Sequence, residues 1–273
     1  MSPIGPVSPI DLTPADLLVA SLLVLFSAGL SLALSLRVHR SLLLAAVRMV
    51  VQLLLVGFIL RVVFQTSNPW ATLLVALFMA GAAAYEVGAR QEQRLPVFWH
   101  YATGGGATVF ATLAITVLAL TTTLKPEPWY NPRAALPLTG IILGNVMNAV
   151  SLSLNSFFNT LRRERASIEA RLALGDSRYT ALHGTAAQAI RTALIPTINV
   201  MTAAGVITMP GIMTGQLLVG MDPVGAAKYQ ILLMFLIVGG NCLGAFTAIY
   251  FAIFRLTDKR DRLRLDLLQN RHT

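Results

Sequence analysis

Charged side chains are scarce in this sequence. Asp, Glu, Lys and Arg make up 12% of the 273 residues and hydrophobic residues 55%, and the mean hydropathy is +0.68. Soluble globular domains carry about 25% charged residues, so the composition excludes an ordinary soluble domain. Long uncharged runs alternate with short charged clusters, which is typical of a polytopic helical membrane protein, since each span needs about 20 apolar residues. The net charge of +9 then indicates a cytoplasmic membrane face rather than nucleic-acid binding.

Cysteine, lysine and N-terminal basic residues are also few or missing, and each shortage excludes a feature. The single cysteine, Cys242, has no partner for an internal disulfide. Only three lysines are present and none follows a glycine, so the chain lacks the Gly-Lys-Ser/Thr loop that cradles ATP phosphates. Residues 1–16 contain no Lys or Arg, so a signal peptide is not predicted and the first apolar segment is expected to remain as a span.

Residues for catalysis are not arranged in a recognisable pattern. We find no zinc spacing and no hydrolase triad. We expect the scattered histidines to be interfacial or surface residues, namely His39, His100, His183 and His272. The sequence therefore predicts a non-catalytic chain.

The apolar runs predict an all-α fold with about seven transmembrane helices. We place these at residues 15–36, 42–64, 70–88, 101–124, 135–157, 193–219 and 229–254. Residues 1–14 then form an extracytoplasmic segment, 15–254 the membrane domain, and 255–273 a basic cytoplasmic tail. We expect this tail to lie on lipid headgroups or to extend the last helix.

The distribution of Lys and Arg predicts the orientation. With the N-terminus outside, 16 of the 21 basic residues fall in cytoplasmic segments and four in outer ones. Cytoplasmic loops of membrane proteins carry an excess of Lys and Arg, so the N-terminus is predicted outside and the C-terminus in the cytoplasm.

Two ionisable groups enter the predicted spans, Arg48 in the second and Glu86 in the third. A charge in a span costs roughly 2.5 to 3.5 kcal/mol on insertion scales, so each needs a partner or water. One interpretation is that Arg48 and Glu86 form a structural ion pair. A second, compatible interpretation is that Glu86 lines a cation path and serves as a metal ligand.

Amide side chains recur along the fifth predicted span. Asn145, Asn148, Asn155 and Asn159 are separated by steps that place them on one helical stripe, with Ser151 or Leu152 between. Amides at this depth must form hydrogen bonds. They either join helices or line a translocation path, for which Asn145 and Asn148 are our candidates.

The sixth predicted span is interrupted at Pro196 and again at Met209-Pro210-Gly211. Irregular backbone in a membrane is tolerated only where protein or water satisfies it, so this break is a candidate for the translocation path. Met209 and Met213 could offer soft metal ligands, although methionine in an apolar run is more often packing. The candidate path residues of this region are Thr208, Met209, Pro210, Met213 and Gln216.

A basic segment at about 158–192 separates the fifth and sixth predicted spans. Ile168, Leu172, Gly175, Tyr179 and Leu182 recur in it at helical spacing. This stripe either docks a soluble partner or lies on anionic lipid.

Several runs resemble the FetB-type permease family. They are residues 47–53 (VRMVVQL), 144–149 (GNVMNA), 207–216 (ITMPGIMTGQ) and 227–231 (AKYQI). Glu169-Ala170 followed by Gly175 also resembles the Glu-Ala-Ala…Gly coupling signature of ABC importer permeases, with Arg171 at the second alanine. The resemblance covers about residues 40–255.

This resemblance implies a permease subunit of an ABC transporter that exports iron or another metal cation from the bacterial inner membrane. Two copies would pair with two ATPase subunits, which would hold ATP and Mg. The residues implied for coupling to the ATPase are Glu169, Ala170, Leu172, Gly175 and Tyr179. Open alternatives are an exporter of nucleotide-sugar or another small solute, a secondary carrier without an ATPase, and a membrane scaffold.

Overall fold

The computed structural model describes residues 13–36, 38–66, 68–258 and 260–270. In these ranges the regular secondary structure is helical apart from a two-residue strand pair, which confirms the all-α class. The α-helices are α1 (Pro14–Ala33), α2 (His39–Thr66), α3 (Pro69–Arg90), α4 (Val97–Tyr101), α5 (Ala107–Leu118), α6 (Pro132–Arg163), α7 (Arg165–Ala173), α8 (Arg178–Ala203), α9 (Gly211–Leu218) and α10 (Pro223–Leu256). The π-helical segments Ala102–Gly106 and Ala119–Leu124 flank α5, and β1 (Gln93–Arg94) pairs antiparallel with β2 (Gln269–Asn270).

Six helical segments of the described ranges are long and apolar enough to cross a membrane. They are Ala15–Ala33, His39–Thr66, Pro69–Arg90, Phe98–Leu124, Pro132–Arg163 and Pro223–Leu256. They coincide with six of the seven predicted spans. The helices extend beyond the apolar runs at several ends, because helical hydrogen bonding continues into the polar flanks.

The remaining predicted span, 193–219, is two helices with a turn between them. Helix α8 ends at Ala203, and the eight-residue α9 begins at Gly211. Gly205 adopts a φ of +82° in the turn, a conformation that glycine accepts without strain. Pro196, by contrast, lies inside a continuous α8, so the predicted first interruption is wrong. A helix packed against neighbours tolerates the loss of one backbone hydrogen bond.

The chain divides into two units. The first contains α1, α2 and residues 215–221. The Thr13 hydroxyl and the Asp16 carboxylate each accept a hydrogen bond from the other residue's backbone N–H, which forms a capping box at the start of α1. Helices α1 and α2 pack together, and most of their large apolar side chains are exposed within this chain. Helices surrounded by lipid can keep such surface without protein cover.

The second unit contains residues 69–214 and 222–273, and α6 lies at its centre. This helix packs against α3, α5, α8 and α10, and its Phe157 is fully buried. Glycines allow close approach: a Cβ at Gly244 of α10 would lie 2.6 Å from a Val146 methyl of α6. A Cβ at Gly105 would lie 2.6 Å from the Cβ of Ala84 on α3. Contacts between small residues are the usual way in which membrane helices pack closely.

His100 of α4 lies in this packed interior rather than at a surface. It is 4% exposed, and its Nε2 lies 3.0 Å from the carbonyl oxygen of Gly88. The predicted surface position is therefore wrong for this histidine, whose ring joins α4 to the end of α3.

The ends of α3, α6 and α10 and the start of α8 lie together, and we call this region the basic end. The Arg162 guanidinium of α6 donates to the carbonyl oxygen of Leu268 over 2.8 Å. Arg178, the first residue of α8, forms an ion pair with Asp261 over 2.6 Å. The strand β2 places the same tail against β1, just beyond α3. The basic end is thus held by contacts between segments distant in sequence.

The C-terminal tail does not extend the last helix, so that one of the two sequence expectations is wrong, whereas its contact with lipid headgroups stays a prediction. Helix α10 ends at Leu256, and the described tail folds onto the protein itself, with Leu268 buried at 5% exposure. A tight turn forms at Asp258, whose carboxylate accepts from the backbone N–H groups of Arg260 and Arg262. Hydrogen bonding to Arg262 holds the pKa of Asp258 below its usual value.

Candidate translocation site

A cavity of about 180 Å³ lies between α6, α8 and α10 in the second unit. Its polar lining consists of three amides and one hydroxyl, from Asn145, Asn148, Asn241 and Thr197. The apolar lining residues are Ala149, Leu152, Ala193, Pro196, Val200, Met234 and Ile237. The cavity is therefore mostly apolar with a few convergent polar groups, the usual character of a small-ligand site.

Small side chains and a proline leave this space between the helices. Ala149 of α6 and Ala193 of α8 contribute only methyl groups to the walls. Pro196 has no N–H to donate to the carbonyl of Thr192, one turn earlier in α8. Both α6 and α8 thus present small side chains to the cavity, and α8 also lacks one backbone donor there.

Asn241 is the most buried polar group of the cavity, at 2% exposure. Its Nδ2 donates to the Thr197 hydroxyl over 2.7 Å, which ties α10 to α8. Within the described residues its Oδ1 has no hydrogen-bond partner. An unpaired buried acceptor costs about 1–3 kcal/mol, so this oxygen is an unfavourable feature of the contact between α8 and α10.

The amide stripe of α6 serves two purposes along its length. Towards the basic end, Asn155 accepts from the Glu92 N–H and donates to the Arg90 carbonyl, each over 3.3 Å. Asn159 accepts from the Gln93 amide over 2.7 Å. These two amides join α6 to the corner between α3 and β1, as the interhelical interpretation predicts. About two and three turns before Asn155 in α6, Asn148 and Asn145 line the cavity.

Asn148 contacts the end of α3 and also lines the cavity. Its Oδ1 accepts from the Arg90 guanidinium over 2.6 Å, while its side chain also lines the cavity. Asn145 donates its Nδ2 to the Ile141 carbonyl of its own helix over 2.8 Å, so its Oδ1 is not used by that bond. The hydrogen bonds of Asn145 and Asn241 thus use their Nδ2 groups.

Glu86 lies on α3 away from the cavity lining, near the basic end. Its carboxylate pairs with Arg90, one turn further along the same helix, at 3.3 Å. Arg48 belongs to the first unit, so its pairing with Glu86 stays a prediction. The role of Glu86 in a cation path also stays a prediction.

The turn between α8 and α9 holds the other path candidates. The Ala203 carbonyl accepts from the backbone N–H groups of Ile207 and Thr208, which closes the turn. Met209 is 62% exposed, whereas Pro210, Met213 and Gln216 are half-buried. None of these residues is among those that line the cavity.

A compact metal centre is not formed by the residues that the structure describes. No group of three or more His, Cys, Asp and Glu side chains that could hold an ion occurs among them. The predicted ligands Glu86, Met209 and Met213 thus have no such cluster around them. Their role as metal ligands stays a prediction.

The basic segment forms a helix-turn-helix. Helix α7 ends at Ala173, and Gly175 has a φ of +100° in the turn before α8. Arg171 closes this turn through Asp176 at 2.9 Å and the Thr180 carbonyl at 3.1 Å. The positive φ explains the glycine, since other residues adopt it at a cost of roughly 1–2 kcal/mol.

The predicted stripe of this segment is buried at its two ends and exposed in the middle. Ile168 and Leu182 are buried, whereas Gly175 and Tyr179 are exposed. The turn also exposes 88% of Leu174. The remaining coupling candidates differ: Glu169 pairs with Arg165 at 2.8 Å, Ala170 is exposed, and Leu172 packs against the core.

Sequence reasoning missed Leu174, Thr197 and Asn241. Asn241 follows Gly239 and Gly240 in an otherwise apolar span, and this isolated amide was a usable signal. Leu174 directly precedes the turn glycine, and this position alone does not predict whether its side chain packs inward. Only the structure reveals that Leu174 is exposed.

Known proteins were compared with this chain. A model of the family described as "Uncharacterised protein family (UPF0014)" matches residues 14–257. The chain belongs to this family. UPF0014 membrane protein slr1647 of Synechocystis is 39% identical over 198 residues, covering 72% of this chain and 75% of that protein. The "Probable iron export permease protein FetB" of Escherichia coli is 29% identical over 261 residues, covering 96% of this chain and 98% of FetB. No solved structure matches.

The family extends to plants. Protein ALUMINUM SENSITIVE 3 of Arabidopsis thaliana is 28% identical over 231 residues, covering 85% of this chain and 82% of that protein. The predicted FetB-type relationship is confirmed by the family match and by FetB itself. The six apolar segments and the membrane-protein relatives make this chain a multi-pass membrane protein of the permease type, which fits a bacterial inner membrane.

Proposed function

We propose that this chain is the membrane-spanning subunit of an ABC exporter of iron or another metal cation. A separate ATPase subunit, holding ATP and Mg, docks at the α7–α8 turn, and two copies of the permease assemble with two ATPases. The exposed Leu174 at the tip of this turn is the observation that carries the proposal. The cation is suggested by the name of FetB.

The turn has the properties of a docking element. Leu174 and Ala170 present apolar surface beside the charged pairs of Arg165 with Glu169 and Arg171 with Asp176. An apolar centre with a charged rim is the usual composition of a protein–protein contact. Helix α8 starts at this turn and forms one wall of the cavity. Movement of a docked ATPase would therefore be transmitted to the cavity through α8.

The arrangement of the second unit supports seven crossings and a cytoplasmic basic end. Helices α6 and α10 both finish at the basic end, while α8 begins there. Helix α10 has 34 residues and is therefore about 51 Å long at 1.5 Å per residue, so it begins on the opposite side. In our proposal the segment from α8 to α10 then crosses once, although α8 and α9 are separate helices.

Two copies would explain the apolar turn after α8. Val206 is 89% exposed and Ile207 81% exposed, on irregular backbone. Lipid does not satisfy such backbone, so a second copy of the chain covers it in our proposal. In a Cys242→Ser background, Val206→Cys should cross-link two permease copies. A membrane preparation that yields only monomer under oxidation contradicts this part of the proposal.

Ion coupling without an ATPase has less support. The residues that line the cavity carry no ionisable group, and Glu86 is engaged with Arg90. Secondary carriers need groups that bind and release the coupling ion within the membrane. ATP-driven transport does not require such groups in the permease.

The docking proposal is tested by substituting Leu174 in the complex co-expressed with its candidate ATPase. Leu174→Ser should abolish co-purification of the ATPase and its coupling to transport while leaving the melting temperature of the permease unchanged, because the side chain makes little internal contact. Glu169→Lys and Gly175→Val should weaken coupling in the same assay.

Val224→Ser is the matched control, since Val224 is also exposed, at 60%, and lies at the start of α10, outside the α7–α8 turn. It should retain ATPase binding. Equal ATPase binding in the wild type and in Leu174→Ser would remove the turn from the docking surface.

A further inference from the structure

We propose that the C-terminal tail joins the α7–α8 turn to α10 and to the corner between α3 and β1, and that Asp261 is the positioning residue of this joint. Through Arg178, Asp261 would fix the direction in which the start of α8 moves when a docked ATPase moves. This inference rests on the proposed function, in that it takes the α7–α8 turn as the docking site.

Arg178 contacts the tail and the end of α10 with one side chain. It is the first residue of α8 and follows the α7–α8 turn directly. Its Nε lies 2.6 Å from the Asp261 carboxylate, and its Nη1 donates to the Thr257 hydroxyl over 3.3 Å. The Thr257 hydroxyl in turn donates to the Ile253 carbonyl of α10 over 2.8 Å. The start of α8 is therefore joined to α10 and to the tail at the same point.

The part of the tail that carries Asp261 has a defined shape. The Asp258 carboxylate accepts from two backbone N–H groups of the turn, over 2.8 and 2.9 Å. The Arg264 N–H donates to the Leu256 carbonyl, at the end of α10, over 2.8 Å. Asp261 itself has a φ of +54°, which is uncommon for a residue other than glycine. These bonds hold the backbone of Asp261 beside the end of α10.

The far end of the tail is anchored to α6 and to the corner after α3. Arg162 of α6 donates to the Leu268 carbonyl over 2.8 Å, and the Leu268 side chain is buried. The strand β2 pairs with β1, beside the point where Asn159 of α6 accepts from the Gln93 amide. Coupling between distant parts of a protein is carried by such continuous contacts. A displacement of α8 that moves Asp261 would therefore reach α6 and the end of α3 as well.

The pairing of the tail carboxylates singles out Asp261. In the described tail, Asp258 pairs with Arg262 and Asp266 with Arg264, so both of these pairs lie within the tail. Asp261 pairs instead with a residue of α8. The side chains of this pair are 23% and 36% exposed, and partly exposed pairs contribute little to stability. The contact is thus better suited to position the start of α8 than to stabilise the fold.

The test reverses the charge of Asp261 in the full-length permease co-purified with its candidate ATPase. Asp261→Arg should lower ATP hydrolysis per bound ATPase by about threefold or more, with KM for ATP, ATPase binding and the melting temperature unchanged. Arg178→Asp should have the same effect. The double variant, in which the pair is formed again with opposite signs, should recover hydrolysis to within about twofold of the wild type. A merely structural role would change the melting temperature instead.

Two further variants keep the test interpretable. Asp266→Arg makes the same change of charge in the same tail, but the partner of Asp266 belongs to the tail itself. This control should hydrolyse ATP like the wild type. Asp261→Asn removes the negative charge without adding a positive one, and it should also lower hydrolysis. It decides the matter if Asp261→Arg does not fold.

Three results would overturn the inference. Equal hydrolysis in Asp261→Arg and Asp266→Arg would show that the pair has no role in coupling. A loss of hydrolysis that the double variant does not repair would mean that the pair is not its cause. A loss of bound ATPase in Asp261→Arg would make the tail a docking contact rather than a positioning one.

Failure of the docking proposal gives a different result. In that case Leu174→Ser would retain the ATPase. If Leu174→Ser loses the ATPase while Asp261→Arg behaves like the wild type, the role of the tail is refuted and the docking proposal stands.

Discussion

Helix α6 meets its neighbours in two different ways. On the side of α3, Asn155 and Asn159 are paired with the corner after α3. On the side of α8 and α10, Asn145 lines a cavity in which Asn241 has an unpaired oxygen. The same residue type therefore joins helices in one place and lines a candidate binding site in another. The partners, rather than the amide itself, decide which role each asparagine has.

The α3 side and the cavity side also differ in how closely the helix backbones approach each other. Around α3, glycines bring helices into direct contact, as at Gly105 and Ala84. Around the cavity, Ala149 and Ala193 are equally small, but the helices do not close over them. The side of α3 should therefore control stability, and the side of α8 and α10 should control transport.

The largest effect is expected at the closely packed side. In Gly105→Ala the new Cβ would lie 2.6 Å from the Cβ and 3.0 Å from the Cα of Ala84. Overpacking of this kind typically costs about 1–3 kcal/mol, and the melting temperature in detergent should fall accordingly. Gly106→Ala is the control in the same π-helical segment, since nothing lies within 4 Å of its Cβ. Similar melting of both variants would show that this contact is not tight.

The next comparison sets Asn155 against Asn145. Asn155→Leu removes two hydrogen bonds to the α3 corner and should lower the free energy of unfolding by about 1–2 kcal/mol. Asn145→Leu removes only a bond to its own helix, so melting should change little while transport in vesicles falls. The comparison fails if the two variants lose stability equally, or if Asn155→Leu impairs transport more than its instability explains.

The smallest effect concerns the charges at the end of α3. An i,i+4 pair such as Glu86 with Arg90 contributes about 0.2–0.5 kcal/mol at an exposed position. For Glu86 and Arg48, which both belong to predicted spans, we expect a coupling of at most about 1 kcal/mol, because Arg48 is exposed within the described structure. Double-mutant cycles for the two pairs, read by melting in detergent, measure both values. Additive effects of Arg48→Leu and Glu86→Leu would show that these residues do not interact.

The sequence-based expectations succeeded where the evidence was local. Six of the predicted spans coincide with apolar helices, and the break around Pro210 separates α8 from α9. They failed where the result depends on distant contacts. Pro196 does not end α8, His100 is buried, and the tail packs on the protein rather than extending α10.

The candidate site was only partly predictable for the same reason. Asn145 and Asn148 lie on a visible helical stripe and do line the cavity. Thr197 and Asn241 are single polar residues in two other helices, and no periodicity joins them to that stripe. Met209 and Met213, which the break singled out, lie beyond the cavity lining.

The sequence by itself determined that this chain is a helical membrane protein, where most spans lie, where its backbone breaks, and to which family it belongs. Hydropathy, proline and glycine act on neighbouring residues, so these properties can be read along the chain. Only the tertiary structure decided which asparagines are paired, that Asn241 has an unpaired oxygen, and that Leu174 is exposed. Those outcomes depend on the rotation and spacing of helices far apart in sequence, because in lipid close packing and polar contacts, rather than apolar burial alone, choose which helix faces meet.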